Sequence, residues 1–110
     1  MGSFDELAVG DHVAAPPVEV AVDARSVVRE IGGYTHRLFT DDDWVRDHST
    51  FSVGPVPGQF VLFLLGGAAE RSGAFDDTTV ALLGFDEVRF VSPAFPRDVL
   101  RLDMEVLEKR

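Results

Sequence analysis

Between Phe60 and Ala69 the chain runs Phe60-Val61-Leu62-Phe63-Leu64-Leu65-Gly66-Gly67-Ala68-Ala69, with no charged or hydrogen-bonding side chain. Pro55-Val56-Pro57-Gly58-Gln59 opens the run and Ser72-Gly73 closes it. It predicts a helix that is apolar almost all round, and such a helix must be covered on most faces. Gly66 and Gly67 each lower helix propensity by about 1 kcal/mol relative to Ala, a cost that is tolerable where another backbone comes close. The run is about half of the roughly 20 residues a bilayer span needs. It therefore reads as a core helix, and the rest of the chain has to supply its cover.

The flanking segments read as that cover. Gly10-Asp11 and Pro16-Pro17 punctuate an irregular beginning, and Val18-Glu19-Val20-Ala21-Val22 alternates as a half-buried strand does. Asp23 is placed as a helix N-cap, followed by Val27, Val28 and Ile31 on one side of a short helix that Gly32-Gly33 ends. Tyr34 to Thr40 reads as a loop. A second short helix is expected over Asp41 to His48, with Asp41, Asp42 and Asp43 complementing its dipole. Asp76-Asp77 reads as a turn. Thr79 to Val91 reads as a long strand, with Gly84 or Phe85-Asp86 marking a bulge. After a turn from Pro93 to Asp98, Val99 to Leu107 is expected as a strand with Leu100, Leu102, Met104 and Val106 facing inward. A buried helix wrapped by an antiparallel sheet answers the burial demand, which makes the fold class α+β.

Composition narrows the function. One modest domain fits 110 residues, and no internal repeat or low-complexity linker divides them. The chain has no cysteine, which excludes disulfides, thiolate nucleophiles and Cys-type zinc sites. The net charge of -9, with Lys109 the sole lysine, argues against nucleic acid, whose phosphates need a basic surface. The same balance fits a halophilic host or a GC-rich genome, and neither reveals function. The start lacks the basic and apolar regions of a signal peptide, and Glu6 stands where a myristoylation signal has Ser or Thr. A cytoplasmic location is the expectation. His12, His36 and His48 show no metal-ligand spacing. Asp41 to Asp43 reads as a helix start more readily than as a hard-cation site.

Several motifs stand together in order. Phe4 to Asp11 opens the chain. Ile31-Gly32-Gly33-Tyr34-Thr35-His36-Arg37-Leu38-Phe39-Thr40-Asp41 follows, then Pro57-Gly58 before the apolar helix. Leu83 to Pro93 with Asp98, and Met104 to Arg110, complete the set. This series resembles the MaoC-like dehydratases, the family of (R)-specific enoyl-CoA hydratases, over nearly the whole chain. The resemblance implies a single hotdog domain over residues 1–110, with an antiparallel sheet wrapped around a long apolar central helix. Relative to that pattern the chain stops at Arg110 before the last two strands of a complete hotdog, which implies an open sheet edge for a partner. It also implies an acyl- or enoyl-CoA thioester as ligand or substrate, no separate cofactor, and pairing as a homodimer or with another hotdog chain.

The family's reaction adds water across a trans-2-enoyl-CoA. An Asp and a His move the protons, and a backbone N–H at the start of the central helix stabilises the enolate oxygen. In this sequence the Asp position aligns with Gly33 and the His position, allowing one inserted residue, with Phe39; neither can transfer a proton. His36 is then the candidate acid/base, assisted by Tyr34 or Asp41. Against this stands a loop histidine with structural hydrogen bonds, and a packed aromatic at Tyr34. Gly58 or Gln59 would donate to the oxyanion, and Phe51, with Phe60 and Phe63, would line an acyl tunnel. Core packing is the plainer reading of Phe60 and Phe63. Arg89, with Arg97 and Arg101, suits CoA phosphates, although on an acidic chain each also suits a neighbouring carboxylate. Two functions follow: an enoyl-CoA hydratase-type domain acting on or binding acyl-CoA thioesters, or a non-catalytic hotdog subunit that holds an acyl chain or stabilises an active partner. A hotdog thioesterase would need a carboxylate where Gln59 stands.

Overall fold

Three aspartates in a row can hardly lie inside a domain, and they open a helix as their charges require. In the computed structural model of the chain, which describes residues 6–75 and 84–109, helix α3 spans Asp42–His48. The Asp41 side chain caps it by accepting the Trp44 N–H at 3.1 Å. The chain packs as two units. One consists of Glu19–Phe63 and Phe90–Val99; the other takes the residues up to Val18, Leu64–Arg89 and those from Leu100 on.

In the first unit, helix α1 (Ala24–Glu30) turns Ala24 and Val28 into the interior, one face of the helix by their spacing of four. Val20, Val45 and Val56 complete this core. The expected face of Val27, Val28 and Ile31 is corrected: Val27 is exposed and Ile31 is 82% exposed. Ile31 occupies the C-cap position, where the chain is already leaving the helix toward Gly33 at φ +72°. The Ala24–Val28 row ends before reaching it. Asp23 holds the N-cap position but its side chain makes no capping bond. The expected loop from Tyr34 to Thr40 contains a further helical turn, α2 (Arg37–Thr40), because the His36 side chain caps it.

Strand pairing is shorter than the alternation suggests. Only Val18–Glu19 (β2) is a strand in the segment expected to run to Val22, and it pairs with β3 (Val99–Leu100). Val20 continues the pairing through its backbone, with Val20 N–H donating to Asp98 O at 2.8 Å and Arg97 N–H to Val20 O at 2.6 Å. The Asp76-Asp77 turn, the first residues of the expected strand from Thr79 and the Phe4-Asp5 start of the first motif lie outside the described residues. From Gly84 to Val91 the expected strand is irregular and its residues are exposed. Alternation there has no neighbouring ladder to satisfy its backbone groups. A single antiparallel bridge, Val56 to Ala94, anchors the chain that follows.

In the second unit, β1 (His12–Ala14) pairs antiparallel with β4 (Asp103–Glu105), in the register His12 to Glu105, Val13 to Met104 and Ala14 to Asp103. β1 replaces the irregular beginning expected around Gly10 to Pro17. Bonds from Gly10 N–H to Val106 O, Val106 N–H to Asp11 O and Ala15 N–H to Leu102 O lengthen the ladder at both ends. Leu100, Leu102, Met104 and Val106 are half-buried while Arg101, Asp103, Glu105 and Leu107 are exposed, which is the expected inner and outer face.

The apolar run forms helix α4 (Gly58–Arg71), 14 residues that begin in the first unit and end in the second. Its cover is incomplete. Ala68 is the helix's one buried residue, and Phe63 is 75% exposed. The described residues form two sheets of two strands each, not one sheet wrapped around α4. No described helix is long and apolar enough to cross a membrane.

Candidate functional site

The residues singled out between Gly33 and Gln59 all lie in the first unit, and most of their polar atoms serve the backbone. Gly33 breaks away from α1 with its α-carbon facing open space. Tyr34 follows, half-buried, with its ring edge-on to Phe39 at 5.4 Å between centroids. The two positions that carry proton transfer in the resembled family are therefore an open glycine and a ring packed on a tyrosine.

His36 holds the N-cap of α2. Its Nδ1 accepts the Leu38 N–H at 3.0 Å, and its carbonyl accepts Phe39 N–H and the Thr40 hydroxyl. A nitrogen that accepts carries no proton, so the neutral ring is protonated at Nε2. Toward a ligand such an imidazole is a donor. Service as a base from Nε2 would place a proton on Nδ1, against the Leu38 N–H. That loses the cap bond and sets two donors face to face, at a cost of about 1–3 kcal/mol. Asp41 is likewise occupied by the Trp44 N–H. Among the described residues no hydrogen bond joins His36 to Asp41 or to Tyr34. What the fold brings to His36 is Trp44, edge-on at 5.5 Å. His48 stacks on the far part of this cluster, 4.4 Å from Trp44 and nearly parallel, and its Nδ1–H donates to the Trp44 carbonyl at 2.9 Å.

At the start of α4, Pro57 O accepts Phe60 N–H and Val61 N–H. Gly58 and Gln59 thus present the first N–H groups of the helix, which have no intrahelical acceptor. The ring of Phe90 stands against Gly58: a β-carbon at Gly58 would lie 2.7 Å from Cε1, Cε2 and Cζ of that ring. Gln59 is exposed. Phe51 packs edge-on to Phe95 at 5.2 Å, and Phe60 lies 6.3 Å from Phe63. Arg89 belongs to the other unit, where it is exposed and paired to Glu87 at 2.8 Å. No cluster of three or more metal-ligating side chains occurs among the described residues.

The best-built polar group here is one that the sequence does not announce. Asp42 Oδ1 accepts Arg25 Nη1–H at 2.6 Å and Gly54 N–H at 2.9 Å. Burial raises the Asp42 pKa, but the Gly54 N–H and the Arg25 guanidinium outweigh it and hold the carboxyl below its ordinary value. This node ties α1, α3 and the loop before α4 together. Partners 17 and 12 residues apart leave no periodic signal, and within Asp41-Asp42-Asp43 nothing separates Asp42 from its neighbours.

Among solved structures, the chain is similar to the X-ray structure of the monoamine oxidase regulatory protein from Archaeoglobus fulgius, a MaoC-like protein. The TM-score is 0.80 at 22% identity, over 98% of this chain and 72% of that one. No protein-family model matches the sequence, and no curated protein matches it. The likeness establishes the fold: this is a mixed α and β chain with small sheets, arranged as in a MaoC-like protein and consistent with the hotdog expectation.

Proposed function

We propose that this chain is a MaoC-like hotdog domain that binds an acyl-CoA thioester without hydrating it, and that it acts as a binding or partner subunit in a dimer with another hotdog chain. One observation carries the reading: among the described residues, none of the groups that the resemblance offers for proton transfer is arranged to take a proton from water. Gly33 has no side chain, Phe39 is packed on Tyr34, and the Nδ1 of His36 is committed to the α2 cap. General acid–base catalysis contributes roughly 10²–10⁴-fold, and a hydratase without it would lose most of its turnover. The thioester itself would rest with its oxygen toward Gly58 or Gln59 and its acyl chain toward Phe51.

The enoyl-CoA hydratase reading keeps one point in its favour: His36 is exposed, and its Nε2–H is free to donate a hydrogen bond to a bound substrate. Hydration of crotonyl-CoA and of a longer enoyl-CoA, followed spectrophotometrically at low and high salt beside calorimetric binding, separates the two. The expected result is binding without turnover. The informative variant is His36→Asn, which retains a capping side chain but has no titrating ring. Turnover in the parent that vanishes in His36→Asn would replace this proposal with a hydratase that depends on the His36 ring.

A further inference from the structure

Gly58 lies outside the left-handed region, so its backbone conformation does not demand glycine. The ring of Phe90 comes close to it instead: a β-carbon at Gly58 would stand 2.7 Å from Cε1, Cε2 and Cζ, so a larger residue there would require the ring to move. The ring therefore lies flush on the first turn of α4, at a place where a larger residue would hold it off. Phe90 is 55% exposed, and every residue from Gly84 to Pro93 is exposed. No ring partner for Phe90 occurs among the described residues. A phenylalanine packed on one face and wet on the other can leave by changing rotamer, with few contacts to break.

We propose that Phe90 is an aromatic gate over the start of α4, closed in this conformation and opened by rotation of its side chain. The inference rests on the reading that a thioester docks at Gly58. The closed ring occupies the space beside the α-carbon that an approaching acyl thioester would need. A ligand then binds only the open fraction, and its apparent affinity is reduced by that fraction. With the gate closed nine-tenths of the time, association is slowed about tenfold. The opened ring would be free to pack against the bound acyl chain, which favours apolar acyl groups over hydroxylated ones.

The test uses the full chain and crotonyl-CoA, with association followed by stopped flow and affinity by calorimetry, for the parent, Phe90→Ala and Phe90→Leu. The gate predicts association about tenfold faster in Phe90→Ala, with Phe90→Leu between, where Leu keeps apolar bulk if Ala impairs folding. Equal rates and affinities in parent and variants overturn the gate and leave thioester binding intact. No binding by any of the three overturns the thioester reading, and the gate with it.

Discussion

Arg97 has φ +78° and is the one described non-glycine residue at positive φ. It is the third residue of a turn in which Asp98 N–H donates to Phe95 O at 3.1 Å, with Pro96 in second place. A turn with proline second and positive φ third favours glycine third. Left-handed backbone costs an L-residue roughly 1–2 kcal/mol. Glycine escapes that cost but loses about 0.4–1 kcal/mol through the extra freedom of its unfolded chain. Arg97→Gly should therefore stabilise by about 0.5–1 kcal/mol. The bonds that define the turn are kept. Arg97 N–H to Val20 O is a backbone bond, and the Asp98 carboxylate still accepts Phe95 N–H at 2.9 Å. At roughly 4–8 °C per kcal/mol for a domain near this size, the midpoint should rise by roughly 2–8 °C. Melts belong at high salt, because the substitution removes a cation from a chain of charge -9. Arg97→Ala is the control, since alanine must adopt the same φ and gains nothing. If alanine raised the midpoint as far as glycine, the cost would lie in the arginine side chain and not in the backbone, and the reasoning would fail.

Three further outcomes follow from contacts described above. Gly54→Ala would drive its methyl into the Leu38 carbonyl and to 3.1 Å from Arg25 Nη2; urea unfolding should register a loss of about 1–3 kcal/mol, and an unchanged midpoint would show that the loop has room. Asp42 has its folded pKa held below 3.8, so its stabilisation is present above that value and is lost as pH falls through the folded pKa. The stability difference between the parent and Asp42→Asn should accordingly be steady near neutrality and shrink in acid, as acid-unfolding curves can show. His12 is raised above 6.5 by its hydrogen bond to Asp103, at 2.9 Å, and by the nearby Glu105 and Asp11 charges. Its contribution is present below 6.5 and fades as pH rises through the folded pKa. NMR titration of the ring should give a midpoint above the ordinary histidine value in the parent and a lower one in Asp103→Asn, with the difference reduced by salt.

Local signals in the sequence located α3, though with Asp41 inside it and not as its cap, the run that becomes α4, and the inward row Leu100, Leu102, Met104 and Val106, because each depends on spacing within a few residues. Ile31 was misjudged because a helical row gives no warning of where the helix stops, and Gly32-Gly33 could end it before or after that residue. α2 escaped notice because its stability comes from one side-chain bond, His36 Nδ1 to Leu38 N–H, and not from a pattern. At the candidate site the residue types were legible but their employment was not. His36 and Asp41 look like proton-transfer groups in sequence, and only geometry shows that both are caps. Asp42 with Arg25 and Gly54, and Phe90 with Gly58, are meetings across the chain that no window of neighbouring residues contains.

The pairing of β1 with β4 has a consequence for how the chain is made. His12 meets Asp103 across 91 residues of sequence, and Val13, buried opposite Met104, has no strand beside it until then. At a synthesis rate of about 5–20 residues per second, the first strand would spend roughly 5–20 s outside the ribosome before its partner emerges. During that interval its apolar side chain and free edge are open to any other nascent or unfolded chain. The arrival of β4, not the synthesis of β1, would decide whether this unit closes on itself.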